Sequence, residues 1–201
     1  LCSTIYTLNN NNEIIIKFHA TTNKDTIVNL TNHNYWNFNG HSEYYNNIGN
    51  HVLFIDADRY CVIDTDFIPT GKIISLSGKK IDFRKPKIIG SDILEKGGID
   101  HYYINKNYNN KLIKVLEVFS PSTKMGLTMW SNQPGLQLYT GNNMEAFYNG
   151  KNNLNYGKNY GLCFEPQKHP NAINIKNFPS IILKKGKTYK STIKFCLKNN
   201  Y

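Results

Sequence analysis

Moving protons near neutral pH takes side chains whose unperturbed pKa values lie close to the working pH. A Glu with a His meets that need, and the pair demands no metal or organic cofactor. Glu165 sits between apolar Phe164 and Pro166, a setting that can raise a carboxyl pKa. Two residues beyond His33 comes Tyr35, on the same side of an extended chain, where its ring can pack on apolar C–H groups. Asp100 offers several acceptor sites to hydroxyl donors, and Gln137 both donates and accepts, which suits a hydroxyl-rich ligand. Gln137 alternates with Leu136 and Leu138, so it faces away from them. His101 points opposite to Asp100 if the chain there is extended, and it is left out of the set. Each residue also has an ordinary explanation: a core or surface imidazole, a solvated carboxylate, an aspartate in the turn after Gly97-Gly98, an outward glutamine, a core tyrosine.

The elements that must hold these residues read as strands. The cleanest pattern is C-terminal: Tyr189, Ser191, Ile193, Phe195 and Leu197 alternate with Lys190, Thr192, Lys194, Cys196 and Lys198. A period of two is what a half-buried strand requires. Similar runs span 13–20, 51–58, 111–119, 127–131 and 136–140, punctuated by turn signals such as Pro69-Thr70-Gly71, Gly97-Gly98, Pro134-Gly135 and Lys185-Gly186. Asn-rich patches at 9–12, 107–110 and 149–155 read as loops. The pattern predicts one all-β domain over 1–201, a sandwich or barrel of many short strands.

Composition narrows the classes. A chain of 201 residues with 40% hydrophobic and 13% aromatic content can bury a real core, which excludes global disorder. The formal charge of +10 invites a nucleic-acid partner, but the lysines are dispersed among Asn, Ile and Tyr, and binding of that kind needs basic residues clustered with aromatics on one face. The charge is therefore read as a solvated surface. Cys2, Cys61, Cys163 and Cys196 are widely spaced, without a C-x-x-C or a zinc-finger histidine, and read as free thiols in a reducing cytosol. No apolar run approaches the roughly 18 residues of a membrane span.

Residues 26–40, T-I-V-N-L-T-N-H-N-Y-W-N-F-N-G, closely resemble the signature P-V-N-L-T-N-H-x-Y-F-N-L-x-G of the aldose 1-epimerase (galactose mutarotase) family. Further matches follow in the family's order. Pro69-Thr70-Gly71-Lys72-Ile73 resembles P-T-G-E-I, Ile81-Asp82-Phe83-Arg84 resembles F-D-F-R, and Gly97-Gly98-Ile99-Asp100-His101 resembles G-G-Y-D-H. Residues 133–142 resemble E-P-G-x-Q-x-Y-T-G-N, and 161–167 resemble G-x-C-L-E-T-Q. The resemblance covers nearly the whole chain but only the later, larger part of a typical member. An earlier section with an Asn-Arg pair and an L-H-G-G motif has no counterpart here. Trp36, Gln133 and Pro166 depart from the family's Phe, Glu and Thr.

The resemblance implies a large, curved two-sheet β-sandwich, incomplete at its N-terminus, that interconverts the α and β anomers of free aldohexoses. It implies Glu165 as the base and His33 as the acid, with Asp100, Gln137 and Tyr35 binding the sugar, and no metal or cofactor. A cytoplasmic monomer with a small sugar substrate, no nucleic acid and no membrane is expected. Two alternatives stand beside it. One is a non-catalytic carbohydrate-binding sandwich that has lost turnover with the earlier section. The other is an enzyme for hexose 6-phosphates, although Arg59 and Arg84 form no obvious phosphate cradle. If the earlier section is truly missing, open sheet edges and uncovered apolar faces predict poor solubility for these 201 residues.

Overall fold

The computed structural model describes residues 1–41, 47–145 and 150–200. Asn149, the first residue of the expected loop at 149–155, lies outside the described residues. Two antiparallel sheets carry the fold. One runs in spatial order β1 (Cys2–Leu8), β2 (Glu13–Thr21), β15 (Thr188–Lys198), β11 (Gly126–Ser131), β10 (Ile113–Phe119), β5 (Val52–Ile55) and β8 (Lys87–Ile88). The second runs β4 (Tyr35–Trp36), β13 (Leu162–Gln167), β12 (Gly135–Tyr139), β9 (Asp100–Asn105), β6 (Ala57–Ile63) and β7 (Pro69–Ser75). A short pair, β3 (Thr26–Ile27) and β14 (Ile182–Leu183), stands apart from both.

The core lies between the two sheets, as alternation requires. In β15, Tyr189, Ser191, Ile193 and Phe195 are buried while Lys190 is exposed. In register beside them, Ile16 pairs with Ile193 and Met129 with Phe195. From the facing sheet, Leu136, Leu138, Leu162, Phe164 and Tyr103 enter the same apolar cluster. This is the two-sheet sandwich expected from the sequence.

The other face of the six-stranded sheet is only partly covered. Cys61, Tyr102 and Ile104 pack there beneath Ala172, Phe178 and Ile181, which belong to the segment between β13 and β14. His169 is wedged into this cap, its ring 4.8 Å from Tyr102 and 4.7 Å from Phe178. Beyond the cap, the sheet opens into a cleft.

One strand boundary corrects the sequence pattern. Residues 51–58 read as a single run but form two strands on different sheets, with the switch at Asp56. Asp56 N donates to Val115 O at 3.0 Å, while Asp56 O accepts from Lys106 N at 3.0 Å. These two hydrogen bonds satisfy the Asp56 backbone at the corner. Alternation of side chains cannot reveal such a crossing, because both strands bury apolar residues toward the same core.

Candidate active site

Three neighbouring strands build the floor of the cleft. In register, Gln137 stands opposite Glu165 on one side and Tyr102 on the other, and Tyr139 stands opposite Cys163 and Asp100. Side chains of paired residues share a face. The face opposite Leu136, Leu138 and Phe164 therefore presents Glu165, Gln137, Tyr139 and Asp100. Entry into β9 depends on Gly98, whose φ of 71° suits glycine and where a Cβ would fall 2.5 Å from Thr140 Oγ1. That approach lets Ile99 N donate to Thr140 Oγ1 at 2.8 Å and fixes Asp100 at the start of the strand. His101 takes the other face, paired with Leu138, its ring 5.4 Å from Tyr60.

His33 arrives differently. It precedes β4, which spans only Tyr35–Trp36, and no long strand carries it. Asparagines tie its segment down instead. Asn29 donates from Nδ2 to Gln167 Oε1 at 3.3 Å and to Lys168 O at 3.0 Å, and accepts from Lys168 N at 2.9 Å. Asn37 Nδ2 donates to Tyr160 O at 3.0 Å, and Asn39 Oδ1 accepts from Ser120 Oγ at 2.6 Å. His51 Nε2 accepts from Phe38 N at 2.9 Å. Held on both sides, the segment lays His33 and Tyr35 over the edge of β13.

The result is a cleft of about 460 Å³ lined by His33, Tyr35, Asp100, Gln137, Tyr139 and Glu165, with Gln167, Asn143 and an apolar group at its far end. All five residues singled out from the sequence meet here. His33 Nε2 lies 3.5 Å from Glu165 Oε1, with the histidine side chain 50% exposed and the glutamate side chain 11% exposed. Burial pushes the Glu165 carboxyl above its ordinary value. The nearby His33 opposes that rise, and Asp100 adds to it by like-charge repulsion. Gln137 Nε2 donates to Asp100 Oδ1 at 2.6 Å, leaving the second Asp100 oxygen and the Gln137 carbonyl for other partners. The rings of His33, Tyr35 and Tyr139 cluster at centroid distances of 5.0 to 6.3 Å. Burial raises both tyrosine hydroxyls above the ordinary phenol range, so they stay protonated donors. Among the described residues, no group of three or more His, Cys, Asp or Glu is arranged to hold a metal ion.

A model of the family described as aldose 1-epimerase matches residues 2–196. The chain belongs to the aldose 1-epimerase family. It is 35% identical over 192 residues to galactose mutarotase of Homo sapiens, covering 94% of this chain and 55% of that protein. To aldose 1-epimerase of Escherichia coli K12 it is 31% identical over 201 residues, covering 94% of this chain and 56% of that one. The crystal structure of an aldose epimerase homologue from C. elegans superposes with a TM-score of 0.87 at 28% identity, over 98% of this chain and 59% of that one. Galactose 1-epimerase from Lactobacillus acidophilus gives 0.80 at 27% identity, over 100% of this chain and 57% of that one. The chain spans about half the length of the curated relatives it matches.

Within this member of the aldose 1-epimerase family, the three departures from the family signature lie away from the cleft lining. Trp36 stacks on Phe38 at 5.8 Å and an interplanar angle of 8°. Pro166 alternates with Glu165 and so faces the core. It lies beyond Leu162 and Cys163, which pair with Trp36 and Tyr35 of β4, so a missing backbone donor there costs no bond to that strand. Gln133 is buried, and its Oε1 has no hydrogen-bond partner among the described residues. Arg59 and Arg84 do not line the cleft and face Asp58 and Asp82 instead.

Sequence reasoning missed Tyr139 and Gln167, although the period-two rule that singles out Gln137 also reaches them: each lies two residues beyond a chosen one. Asn143, Phe67 and Pro170 had no such signal, because loops bring them to the cleft.

Proposed function

We propose that the protein interconverts the α and β anomers of free aldohexoses by general acid/base ring opening and reclosure. Glu165 takes the proton from the anomeric hydroxyl while His33 donates one to the ring oxygen. The C1–O5 bond breaks and a carbonyl forms at C1. Rotation about C1–C2 presents the other carbonyl face, and O5 closes onto it as the two residues return the protons. Atoms and charge balance without a cofactor.

One observation carries this reading: Glu165 and His33 stand 3.5 Å apart in the lining of a single cleft. The two oxygens that exchange protons are bonded to the same carbon, so acid and base must be neighbours. A buried carboxyl with a raised pKa is also a stronger base than an ordinary one, which favours its role near neutral pH. Asp100 and Gln137, already joined, can grip adjacent sugar hydroxyls, and Tyr35 can pack on the ring.

The same reading places the enzyme in the cytoplasm as a monomer with a free hexose as its partner. Free Cys61 and Cys163, both buried, suit a reducing compartment. Polarimetry on freshly dissolved α-glucose or α-galactose tests the activity. The protein should speed the change in rotation, and Glu165→Gln or His33→Asn should each slow it by about 10²–10⁴-fold. Sugar binding with no faster mutarotation would overturn the catalytic assignment.

A further inference from the structure

The hairpin joining β6 to β7 puts an aromatic residue where aromatic residues seldom sit. Phe67 has a φ of 62°, in the left-handed region that Gly or Asn fills more readily because a bulky side chain there crowds the backbone. The loop enforces that conformation. Asp64 Oδ1 accepts from the backbone N–H groups of Asp66 and Ile68, both at 2.9 Å. Asp64 N donates to Ile68 O at 2.9 Å, and Phe67 N donates to Asp64 O at 3.2 Å. Strain of this kind persists only where the surroundings over-determine it, and it gathers at ligand clamps.

Packing does not account for the choice of phenylalanine, since Phe67 is 50% exposed. What Phe67 does line is the cleft, together with Ile63, Pro69 and Pro170. In the six-stranded sheet, β6 and β7 form one edge and β4, which follows His33, forms the other. The cleft thus has polar proton-transfer and hydroxyl-binding groups toward one side and an apolar wall toward the other. A pyranose has the matching division, with a rim of hydroxyls and faces made of C–H groups, and aromatic rings pack well on such apolar faces.

We propose that Phe67 is a sugar-binding residue, its ring held by the strained hairpin as a platform for the C–H face of the aldopyranose whose hydroxyls Asp100 and Gln137 engage. This rests on the reading of the cleft as a sugar site. Phe67→Asn tests it, because asparagine tolerates the left-handed turn but removes the ring, and Phe67→Tyr keeps the ring. The Kd for D-glucose and D-galactose is measured by equilibrium dialysis, KM and kcat by polarimetry, and Tm by thermal melting.

In Phe67→Asn, Kd and KM are expected to rise roughly five- to tenfold, with kcat unchanged and Tm no lower than wild type. Phe67→Tyr should bind like wild type. Unchanged sugar affinity in Phe67→Asn, or a lowered Tm that assigns the ring to folding, overturns the proposal. Binding that weakens in Phe67→Asn while the wild type never speeds mutarotation removes the proposed reaction and keeps the platform. Mutarotation whose KM as well as kcat is untouched by the substitution keeps the reaction and removes the platform. A wild type that binds neither hexose removes both.

Discussion

Two glutamates on strands of the same sandwich live in opposite surroundings. Glu13, at the start of β2, accepts from Lys194 Nζ at 2.7 Å and from Asn9 Nδ2 at 2.9 Å, and these partners hold its carboxyl below the ordinary value. Glu165, in the middle of β13, has no lysine or arginine in hydrogen-bond reach among the described residues, and burial pushes its carboxyl up. The strands around them differ in the same sense. Every residue of β1, the edge strand beside β2, is exposed, including Ile5, Tyr6 and Leu8. In β13 only Gln167 escapes burial. Glu13 is fixed by a lysine at a partly exposed surface, the two side chains 20% and 21% exposed, and that partner keeps it ionised. A carboxylate in the cleft is held in a dry place without that partner, which favours a group that must gain and lose a proton.

The sharpest way to break this contrast is to empty the floor beneath the cleft. Leu138 is fully buried on the core face of β12, so Leu138→Ala should cost about 2–5 kcal/mol of stability, read from urea titration. A loss below about 1 kcal/mol would mean that the floor is not rigidly packed.

Acid should act next. Burial lowers the pKa of His51 and of His169 from 6.5 to about 4. Both are neutral in either state well above pH 6.5. As the pH falls from 6.5 toward 4, the unfolded chain binds protons that the folded chain refuses, so stability is lost across that window. Thermal melting from pH 8 to pH 4 should show Tm falling mainly below 6.5, and a flat Tm would contradict the buried, neutral assignment.

Glu165 contributes with the opposite sign. Its folded pKa lies above the ordinary 4.5, so the native state binds its proton more tightly, and stability falls as pH rises through the interval between the two values. Glu165→Gln removes that penalty and should melt higher than wild type at pH 7, with the gain disappearing below about pH 4.5. A melting temperature equal to or lower than wild type at pH 7 would show that the carboxyl is not strained by burial. The smallest effect belongs to the open strand: Tyr6→Ser on β1 should shift stability by no more than about 0.5 kcal/mol in the same urea titration.

Much of this was legible from particular residues. The alternation of 189–197 predicts β15 and its buried face, and the same rule sends His101 away from Asp100 and Gln137 away from Leu136. The rule fails at 51–58, where one run crosses between sheets at Asp56, and it is silent on loops, so Phe67 and Pro170 went unseen. His33 and Tyr35 share a face as their spacing implies, yet the cause is the ties from Asn29, Asn37 and Asn39 to distant backbone rather than a strand of useful length.

The sequence by itself determined which side chains lie together on a strand, because successive Cβ atoms point to opposite faces as a matter of covalent geometry. It also carried, in its ordered motifs, membership of the aldose 1-epimerase family. Only the tertiary structure decided which of those faces would be covered. Burial depends on what the rest of the chain lays against a strand, and so does the electrostatic cost that separates Glu165 from Glu13. No local pattern of residues contains that information.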